Sequence, residues 1–244
     1  MSETKALVIG HSPTASLRRF GPWLGESGVA CTLVHGADGL PRSLDGYDAL
    51  IVLGGAPMPD DDEHYPWLAQ TRTLIAQGLE RHTPMLGICL GGQLIAYARG
   101  GRVQHRVLPP EHGMTEITRD ASAADDPLFS ILPGTFPMAE NHVDHITRLP
   151  QEAILLAHSD RTPIQGFRIG PCAWGIQFHP EVAYGNIATW DSEERNSVRA
   201  DGFDWDELIG SARAHDDENT AVSHRFARRF ADICAHGISK ERLG

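Results

Sequence analysis

The segment PMLGICLGGQ (residues 84–93) is the most informative part of the sequence, because it joins an apolar stretch to a helical one through Cys89. Glycines stand two residues before this cysteine and two and three residues after it. A strand, a sharp glycine-flanked turn and a helix are typical of a nucleophile elbow, here with sulfur in place of the serine oxygen. The pattern predicts that Cys89 lies at a helix N-terminus, where unpaired N–H groups and the helix dipole favour a thiolate.

A second segment, CAWGIQFHPEV (residues 172–182), supplies a candidate base for this thiol. It predicts an apolar strand that ends just before His179, since the following proline cannot continue a strand. Glu181 lies two residues further on, close enough to orient the imidazole. A cysteine, a histidine and a carboxylate in this relation form the general triad for nucleophilic acyl transfer. Because Cys89 and His179 are far apart in the sequence, only the fold can bring them together.

Three motifs together carry a resemblance to a known family: LGGAP (residues 53–57), GICLGGQ (residues 87–93) and FHPE (residues 178–181). In order and spacing they resemble the class I (triad) glutamine amidotransferases, in particular the glutaminase domain fused to or associated with GMP synthase. The resemblance covers about residues 5–185. It implies an enzyme whose cysteine attacks the γ-carboxamide of glutamine. Ammonia leaves, and water then hydrolyses the γ-glutamyl thioester.

The resemblance also implies roles for individual residues. Cys89 is expected to be the nucleophile, with His179 as general base and acid and Glu181 as the carboxylate that orients it. The backbone N–H groups of Gly55 and Leu90 are expected to form the oxyanion hole. The chemistry requires no cofactor, and we expect no metal ion.

The predicted substrate pocket departs from the family pattern. Gln93 is expected to line it, as in the family. Family members carry a Ser-His-Gly-Asp-like sequence that grips the α-amino and α-carboxylate groups of glutamine, whereas this chain has Asn141-His142-Val143-Asp144. We expect Asn141, His142 and Asp144 to contact the substrate; a buried turn without a ligand role is the alternative. The valine removes backbone freedom that glycine allows, which leaves other γ-glutamyl compounds open as donors.

Three functions fit these observations. The first is hydrolysis of glutamine by a stand-alone protein, with the ammonia delivered to a separate synthase subunit if such a partner exists. The second is a γ-glutamyl peptidase that cleaves glutathione-like compounds or other γ-glutamyl amides. The third is a non-catalytic regulatory or binding partner with a dormant triad. The intact cysteine, histidine and glutamate argue against the third.

Composition restricts the other classes of function. The chain has 244 residues, 41% of them hydrophobic, and a net charge of −11. The negative charge argues against a nucleic-acid partner, since phosphates would be repelled. No apolar run approaches about 18 residues, so we expect no contact with a membrane. The N-terminal residues lack a signal-peptide pattern, and the four cysteines lack regular spacing, which together predict a cytoplasmic protein.

The apolar pattern predicts an α/β fold: a three-layer sandwich around a mostly parallel central sheet, of the flavodoxin-like class that the resemblance implies. Short buried strands alternate with helices in the first half, which is typical of parallel sheets. A small antiparallel extension is expected after about residue 102, and a helical tail over about residues 186–240. We expect one domain over residues 1–244, with its core at about residues 5–185.

The predicted elements have these bounds. Strands are expected at Ala6–Ile9, Ala30–His35, Ala49–Leu53, Met85–Ile88, Val103–Val107, Met114–Thr118, Ile154–His158, Ile164–Ile169 and Ala173–Phe178. Helices are expected at Thr14–Glu26, Tyr65–His82, Gln93–Arg99, Ile187–Ala200, Trp205–His215 and Thr220–Ala235.

Four further features have structural interpretations. Cys31, Cys172 and Cys234 lie in apolar settings and are expected to be small core residues. The acidic run Asp60–His64 could suggest a cation site, but its residues are adjacent rather than spaced to converge on an ion. We expect it to form a loop at the rim.

Overall fold

The computed structural model describes residues 3–237. In this part of the chain the strands are β1 (Thr4–Gly10), β2 (Val29–His35), β3 (Ala49–Val52), β4 (Met85–Ile88), β5 (Arg102–His105), β6 (Glu111–Arg119), β7 (Thr135–His142), β8 (Asp144–Arg148), β9 (Ala153–His158), β10 (Gly166–Ile169) and β11 (Ala173–Ile176). The α-helices are α1 (Phe20–Glu26), α2 (Trp67–Arg81), α3 (Leu90–Ala98), α4 (Tyr184–Ala188), α5 (Ser192–Ala200), α6 (Trp205–Ala214) and α7 (Asp216–His236).

A nine-stranded sheet with the order β2-β1-β3-β4-β11-β10-β9-β6-β7 forms the centre of the fold. The strands from β2 to β11 pair in parallel, and those from β11 to β7 pair antiparallel. β5 and β8 form a separate two-stranded antiparallel ribbon. Strand β11 returns the chain to the middle of the sheet beside β4, with Ile176 opposite Ile88. The two segments that carry the predicted triad are therefore neighbours.

Helices cover both faces of the sheet. On one face, α1 and α7 pack together, and the rings of Phe129, Phe178 and Phe226 form an edge-to-face cluster with centroid separations of 5.6–6.4 Å. On the other face, α2 and α3 bury Leu74 and Leu94 against the strands. These amphipathic helices follow from apolar residues at helical spacing. The predicted α/β sandwich, with its antiparallel extension and helical tail, is confirmed.

The helical tail also forms a smaller apolar cluster of its own. Helices α4, α5 and α6 contribute Ile187, Val198 and Leu208, which pack near Ala139 of β7. This cluster fixes α4 and α5 beside the end of β7. Among the described residues, no helix is long and apolar enough to cross a membrane.

Several predicted helices have other bounds in the structure; for example, α3 begins at Leu90 rather than Gln93, and α7 begins at Asp216 rather than Thr220. The helix expected at Thr14–Glu26 begins only at Phe20, because the preceding residues form an irregular loop. The single helix expected at Ile187–Ala200 is two helices separated by a break at residues 189–191. Asp191 caps the second helix by accepting hydrogen bonds from the N–H groups of Glu193 and Glu194, and such a cap marks a helix start.

Strands β7 and β8 were not predicted, because β7 contains proline, glutamate and asparagine, which are depleted in strands. The segment that we considered as a possible buried turn joins two strands: Asn141 and His142 end β7, and Asp144 begins β8. The strand expected to extend to Phe178 ends at Ile176. His179 instead forms an isolated bridge with Ala139 of β7.

Candidate active site

Cys89 occupies a sharp turn between β4 and α3. Its backbone has φ 52° and ψ −109°, in the left-handed region that a non-glycine residue seldom adopts. Two hydrogen bonds hold this conformation: the Cys89 N–H donates to the Ile176 carbonyl (2.8 Å), and the Gln93 N–H donates to the Cys89 carbonyl (3.0 Å). Such strain persists only where the surrounding structure over-determines it, and it concentrates at functional sites. The turn has the geometry of a nucleophile elbow.

Close packing explains the glycines after the cysteine. A Cβ atom on Gly91 would lie 2.0 Å from the carbonyl oxygen of Val52, so no side chain fits there. Helix α3 can therefore start directly against β3, and its free N–H groups lie beside the Cys89 turn.

His179 and Glu181 meet Cys89 at this turn. The His179 Nδ1–H donates to Glu181 Oε1 at 2.7 Å, because a carboxylate can only accept. The Cys89 side chain lies close enough to the imidazole to raise the pKa of His179. The His179 backbone N–H donates to the Ala139 carbonyl (2.8 Å), which fixes the histidine to β7. The fold thus brings together the three predicted triad residues.

The charges around His179 favour its protonated form. Burial alone would lower the pKa of His179, but the negative charge of Glu181 and hydrogen bonds to Cys89 and Glu181 raise this pKa well above its usual value. An imidazolium at neutral pH stabilises a thiolate beside it. A charged imidazole beside the thiol is the arrangement that activates a cysteine nucleophile.

The loop after β3 completes this part of the site. A Cβ atom on Gly54 would lie 3.1 Å from Cε1 of His179 and 3.4 Å from Cβ of Cys89, so the glycine leaves room for both side chains. A Cβ atom on Gly55 would lie 3.1 Å from Cδ2 of Leu90. The two residues predicted for the oxyanion hole are therefore neighbours.

A cavity of about 540 Å³ opens over Cys89. All four residues predicted to bind substrate line it: Gln93, Asn141, His142 and Asp144. Part of its wall was not predicted from the sequence. The loop after β1 contributes Ser12 to Arg18, and α4 and α5, with the residues between them, contribute Asn186, Trp190, Glu194 and Ser197. These polar and aromatic residues are scattered in the sequence, and no local motif marks them.

Hydrogen bonds fix three of the four predicted substrate-binding side chains at the cavity wall. Gln93 donates to the Asp144 carbonyl (3.2 Å) and to Gln177 Oε1 (3.3 Å). Asn141 Oδ1 lies 2.8 Å from Nδ1 of His112, and Asp144 Oδ1 accepts from Nδ1 of His105 at 2.6 Å. Hydrogen bonds within the protein therefore hold the side chains of Gln93, Asn141 and Asp144 in place.

The fourth, His142, belongs to a buried polar network that the sequence did not reveal. Its Nε2 lies 3.2 Å from Oε2 of Glu111. Glu111 also accepts hydrogen bonds from the hydroxyl groups of Ser159 and Thr162, both at 2.6 Å, and from the amide of Gln165 at 2.7 Å. Although burial opposes its charge, these hydrogen bonds lower the pKa of Glu111. Glu111 is therefore ionised.

Glu140 lies beside this ionised carboxylate. Its Oε2 is 3.3 Å from Nε2 of His142, and neither of its oxygens has a hydrogen-bond partner of good geometry among the described residues. Burial, followed by the charge of Glu111, raises the pKa of Glu140 well above its usual value, which favours the neutral acid. Within residues 3–237, Glu111, Glu140 and His142 are the set that could hold a metal ion, with ligand atoms within 4.8 Å of one another. The hydrogen bonds to Glu111 already satisfy its oxygens, and a proton on Glu140 suffices to balance the pair.

The remaining candidates lie away from this chemistry. Cys172 and Cys234 are buried and Cys31 is partly buried, and burial raises the thiol pKa of all three. They are unsuited to act as thiolates. In the acidic run Asp60–His64, Asp62 pairs with Arg72 of α2 at 2.6 Å, as expected of a surface loop.

Comparison with known proteins identifies the family. The sequence model of the family described as glutamine amidotransferase class-I matches residues 23–189, more than half of the chain. The chain belongs to the class-I glutamine amidotransferase family. The matched region contains Cys89, His179 and Glu181, together with the glycine loop after β3.

Curated relatives of the chain include subunits of GMP synthase and a γ-glutamyl peptidase. One relative, a subunit of glutamine-hydrolyzing GMP synthase from Thermoplasma acidophilum, is 36% identical over 143 residues, which cover 58% of this chain and 66% of the relative. The same subunit from Methanocaldococcus jannaschii is 36% identical over 126 residues, which cover 50% of this chain and 64% of that relative. Gamma-glutamyl peptidase 5 from Arabidopsis thaliana is 30% identical over 164 residues, covering 64% of each chain. The match thus spans just under two thirds of these relatives.

Solved structures extend the similarity to nearly the whole chain. A glutamine amidotransferase from Thermotoga maritima covers 95% of this chain and all of its own, with a TM-score of 0.82 at 24% identity, which supports the fold alone. A protein from Thermoplasma acidophilum described as a putative GMP synthase subunit covers 96% of both chains, with a TM-score of 0.68 at 28% identity. The helical tail of the chain is therefore included in the structural match.

Proposed function

We propose that this protein hydrolyses the γ-carboxamide of glutamine through a γ-glutamyl thioester on Cys89. In this scheme the thiolate attacks the amide carbon, and the N–H groups of Gly55 and Leu90 stabilise the oxyanion that forms. His179 protonates the departing ammonia and then activates the water that cleaves the thioester, while Glu181 keeps the imidazole oriented. Gln93, Asn141, His142 and Asp144 hold the glutamyl group.

The observation that carries this proposal is the strained turn at Cys89 against the hydrogen-bonded pair of His179 and Glu181. The turn presents the thiol at the start of α3, and the 2.7 Å hydrogen bond orients the base towards it. A buried structural cysteine would require neither the strained backbone nor an oriented imidazolium. This arrangement also argues against a dormant triad.

The direct test is release of glutamate and ammonia from L-glutamine by the purified chain. We expect turnover that disappears in Cys89→Ala and is retained in Cys172→Ala, a matched control that removes a buried thiol far from the cavity. Full activity of Cys89→Ala would refute the proposal. If the wild-type chain released neither product, hydrolysis of glutamine by the chain on its own would be rejected.

A second candidate, hydrolysis of larger γ-glutamyl amides, is favoured by the size of the cavity and by the similarity to a γ-glutamyl peptidase. A cavity of about 540 Å³ is within the range of about 300–1,000 Å³ that accommodates drug-sized ligands, and glutamine is much smaller. Asn186, Trp190 and Glu194 could contact a leaving group larger than ammonia. Product analysis distinguishes the two: glutathione-like substrates would release a peptide or amine, and glutamine would release ammonia.

The partner and the cellular location are proposed on the same basis. The similarity to individual subunits of GMP synthase supports a separate synthase protein that would receive the ammonia. Co-purification with an untagged synthase candidate, and a rise in glutamine hydrolysis on adding it, would support this partnership. We propose a cytoplasmic location, because such a synthase and its nucleotide substrates would be there.

A further inference from the structure

The longest helix of the tail, α7, carries polar side chains on a face that it buries. Asn219 and Thr220 lie three and four residues after Asp216, and Ser223 lies four and three residues after them, so the four residues share one face of the helix. Asn219 and Ser223 are completely buried. Buried polar groups require hydrogen-bond partners, so this face must be matched by specific donors and acceptors.

Arg19, just before α1, supplies most of those partners. Its Nη1 donates to the Thr220 hydroxyl at 2.8 Å, and its Nη2 donates to the Ser223 hydroxyl at 3.1 Å and to Asn219 Oδ1. The Asn219 amide in turn donates to the Pro137 carbonyl of β7 at 3.1 Å. The polar face of α7 is thereby tied to β7 and to the start of α1.

The same guanidinium also holds the segment that carries the catalytic carboxylate. Arg19 Nε donates to the carbonyl of Pro180 at 3.0 Å, and Nη2 donates to the carbonyl of Val182 at 2.7 Å. These residues flank Glu181 on both sides. Beyond them, the Tyr184 N–H donates to Asp216 Oδ1 at 2.8 Å, which ties the start of α4 to α7 as well.

Electrostatics reinforces this connection. Burial lowers the pKa of Arg19 to about 10, while the negative charges of Asp216 and Glu181 oppose that effect. Arg19 therefore remains charged at neutral pH, and its charge interacts with that of Glu181. The guanidinium has no direct role in bond making or breaking.

We propose that Arg19 is a positioning residue that clamps the backbone on both sides of Glu181 and anchors the catalytic carboxylate to α7. This inference rests on the proposed role of Glu181 in the triad. A lysine could supply the charge, but a single ammonium cannot reproduce the planar fork that reaches two backbone carbonyls and three side chains at once.

The experiment compares Arg19→Lys and Arg19→Met with Arg229→Met. The control removes another α7 bond, from Arg229 Nε to the carbonyl of Pro127 (2.7 Å), away from the cavity. The first measurement is the rate of Cys89 alkylation by iodoacetamide as a function of pH, followed by mass spectrometry of the Cys89 peptide. Alkylation needs no substrate, so this result does not depend on whether glutamine is the donor.

We expect Arg19→Met to lower kcat by about 10²-fold, with a smaller change in KM, since misplacing a catalytic group by about 1 Å has effects of this size. Alkylation of Cys89 near neutral pH should slow, because a displaced Glu181 no longer supports the charge on His179. Arg19→Lys should fold normally and show a smaller loss of both rates. Arg229→Met should keep the wild-type rates even if it melts at a lower temperature.

Wild-type turnover and alkylation in folded Arg19→Lys, or equal losses in Arg19→Met and Arg229→Met, would overturn the proposal. A wild-type chain that hydrolyses no γ-glutamyl donor would instead count against the proposed function. If alkylation of Cys89 still depended on Arg19 in that case, the positioning role of Arg19 would be supported although the proposed function was not.

Discussion

At the scale of single residues, His179 has two opposing influences on its charge. Burial disfavours the imidazolium, while Glu181, hydrogen-bonded at 2.7 Å, favours it strongly enough to raise the pKa of His179 well above its usual value. The second oxygen of Glu181 has no hydrogen-bond partner among the described residues. In the part of the chain that the structure describes, the side-chain hydrogen bond of this carboxylate is therefore directed to the histidine.

Replacing Glu181 by glutamine tests this directly. The pKa of His179 should fall when the negative charge is removed, so the ion pair with Cys89 should be lost at lower pH and the basic limb of the pH–rate profile should move to lower pH. We expect kcat to fall by about 10²- to 10⁴-fold, the contribution typical of a positioned acid–base pair. The exposed Glu152→Gln is the matched control. An unchanged profile would show that Glu181 does not act on His179.

The raised pKa of Glu140 predicts how the stability of the fold depends on pH. Its pKa is 4.5 in the ordinary case and is raised well above this value in the fold. Between these two values the folded protein binds one proton more than the unfolded chain, so stability falls as pH rises through that window. Glu140→Gln removes this cost at neutral pH and keeps a donor beside the unpartnered Gln165 Oε1.

We therefore expect Glu140→Gln to melt at a higher temperature at pH 7.5, by about 2–4 °C for each kcal/mol recovered. The gain should shrink as the pH approaches 4.5. Glu116→Gln, on an exposed position of β6, should show no such pH-dependent gain. A lower melting temperature for Glu140→Gln at pH 7.5 would mean that Glu140 is ionised and paired in the fold.

The sequence revealed residues that stand in narrow local motifs and missed those that act through the fold. Cys89 and His179 are recognisable because a sharp turn and a terminated strand each constrain several neighbouring residues. Arg19 and Glu140 have no such context. Their partners lie on other elements, far away in the sequence, so only the folded chain reveals them.

At the scale of the elements, the turn at Cys89 depends on how closely α3 approaches β3. Gly91→Ala would place a methyl group 2.0 Å from the Val52 carbonyl oxygen, and backbone must shift to accommodate it. Overpacking of this kind costs about 1–3 kcal/mol or more. Gly210→Ala, inside α6 with open space around it, should instead stabilise the protein by about 0.5–1 kcal/mol.

Urea denaturation of the two variants gives the comparison. Activity should be lost in Gly91→Ala and retained in Gly210→Ala. If both alanine variants were equally stable and active, the close packing of α3 on β3 would not determine the geometry of the turn.

Elements with strong apolar periodicity were predicted well, and those fixed by capping or by distant pairing were not. The bounds of α2 differ from the prediction by two residues at its start and one at its end, because its buried leucines repeat at helical spacing. The helix expected at Thr220–Ala235 begins at Asp216, since three acidic residues favour a helix N-terminus there. β7 is held by pairing with β6 along eight positions, which its own sequence does not indicate.

At the scale of the whole molecule, the fold places the active site where parallel strands end. The loop after β3, the turn after β4 and the segment after β11 meet at one edge of the sheet, as expected for sites in α/β folds. The strand–helix alternation predicted the parallel sheet whose strand ends meet there. The outer wall of the cavity could not be predicted, because α4 and α5 reach it only through their packing on β7.

The central claim is that Cys89 forms a γ-glutamyl thioester, and rapid-quench mass spectrometry tests it most directly. The purified chain would be mixed with L-glutamine and, separately, with a γ-glutamyl peptide, quenched in acid and digested. We predict a γ-glutamyl group on the Cys89 peptide with at least one donor, and none on the peptides that contain Cys31, Cys172 or Cys234. Hydrolysis of either donor without modification of Cys89, or hydrolysis that persists in Cys89→Ala, would contradict the claim.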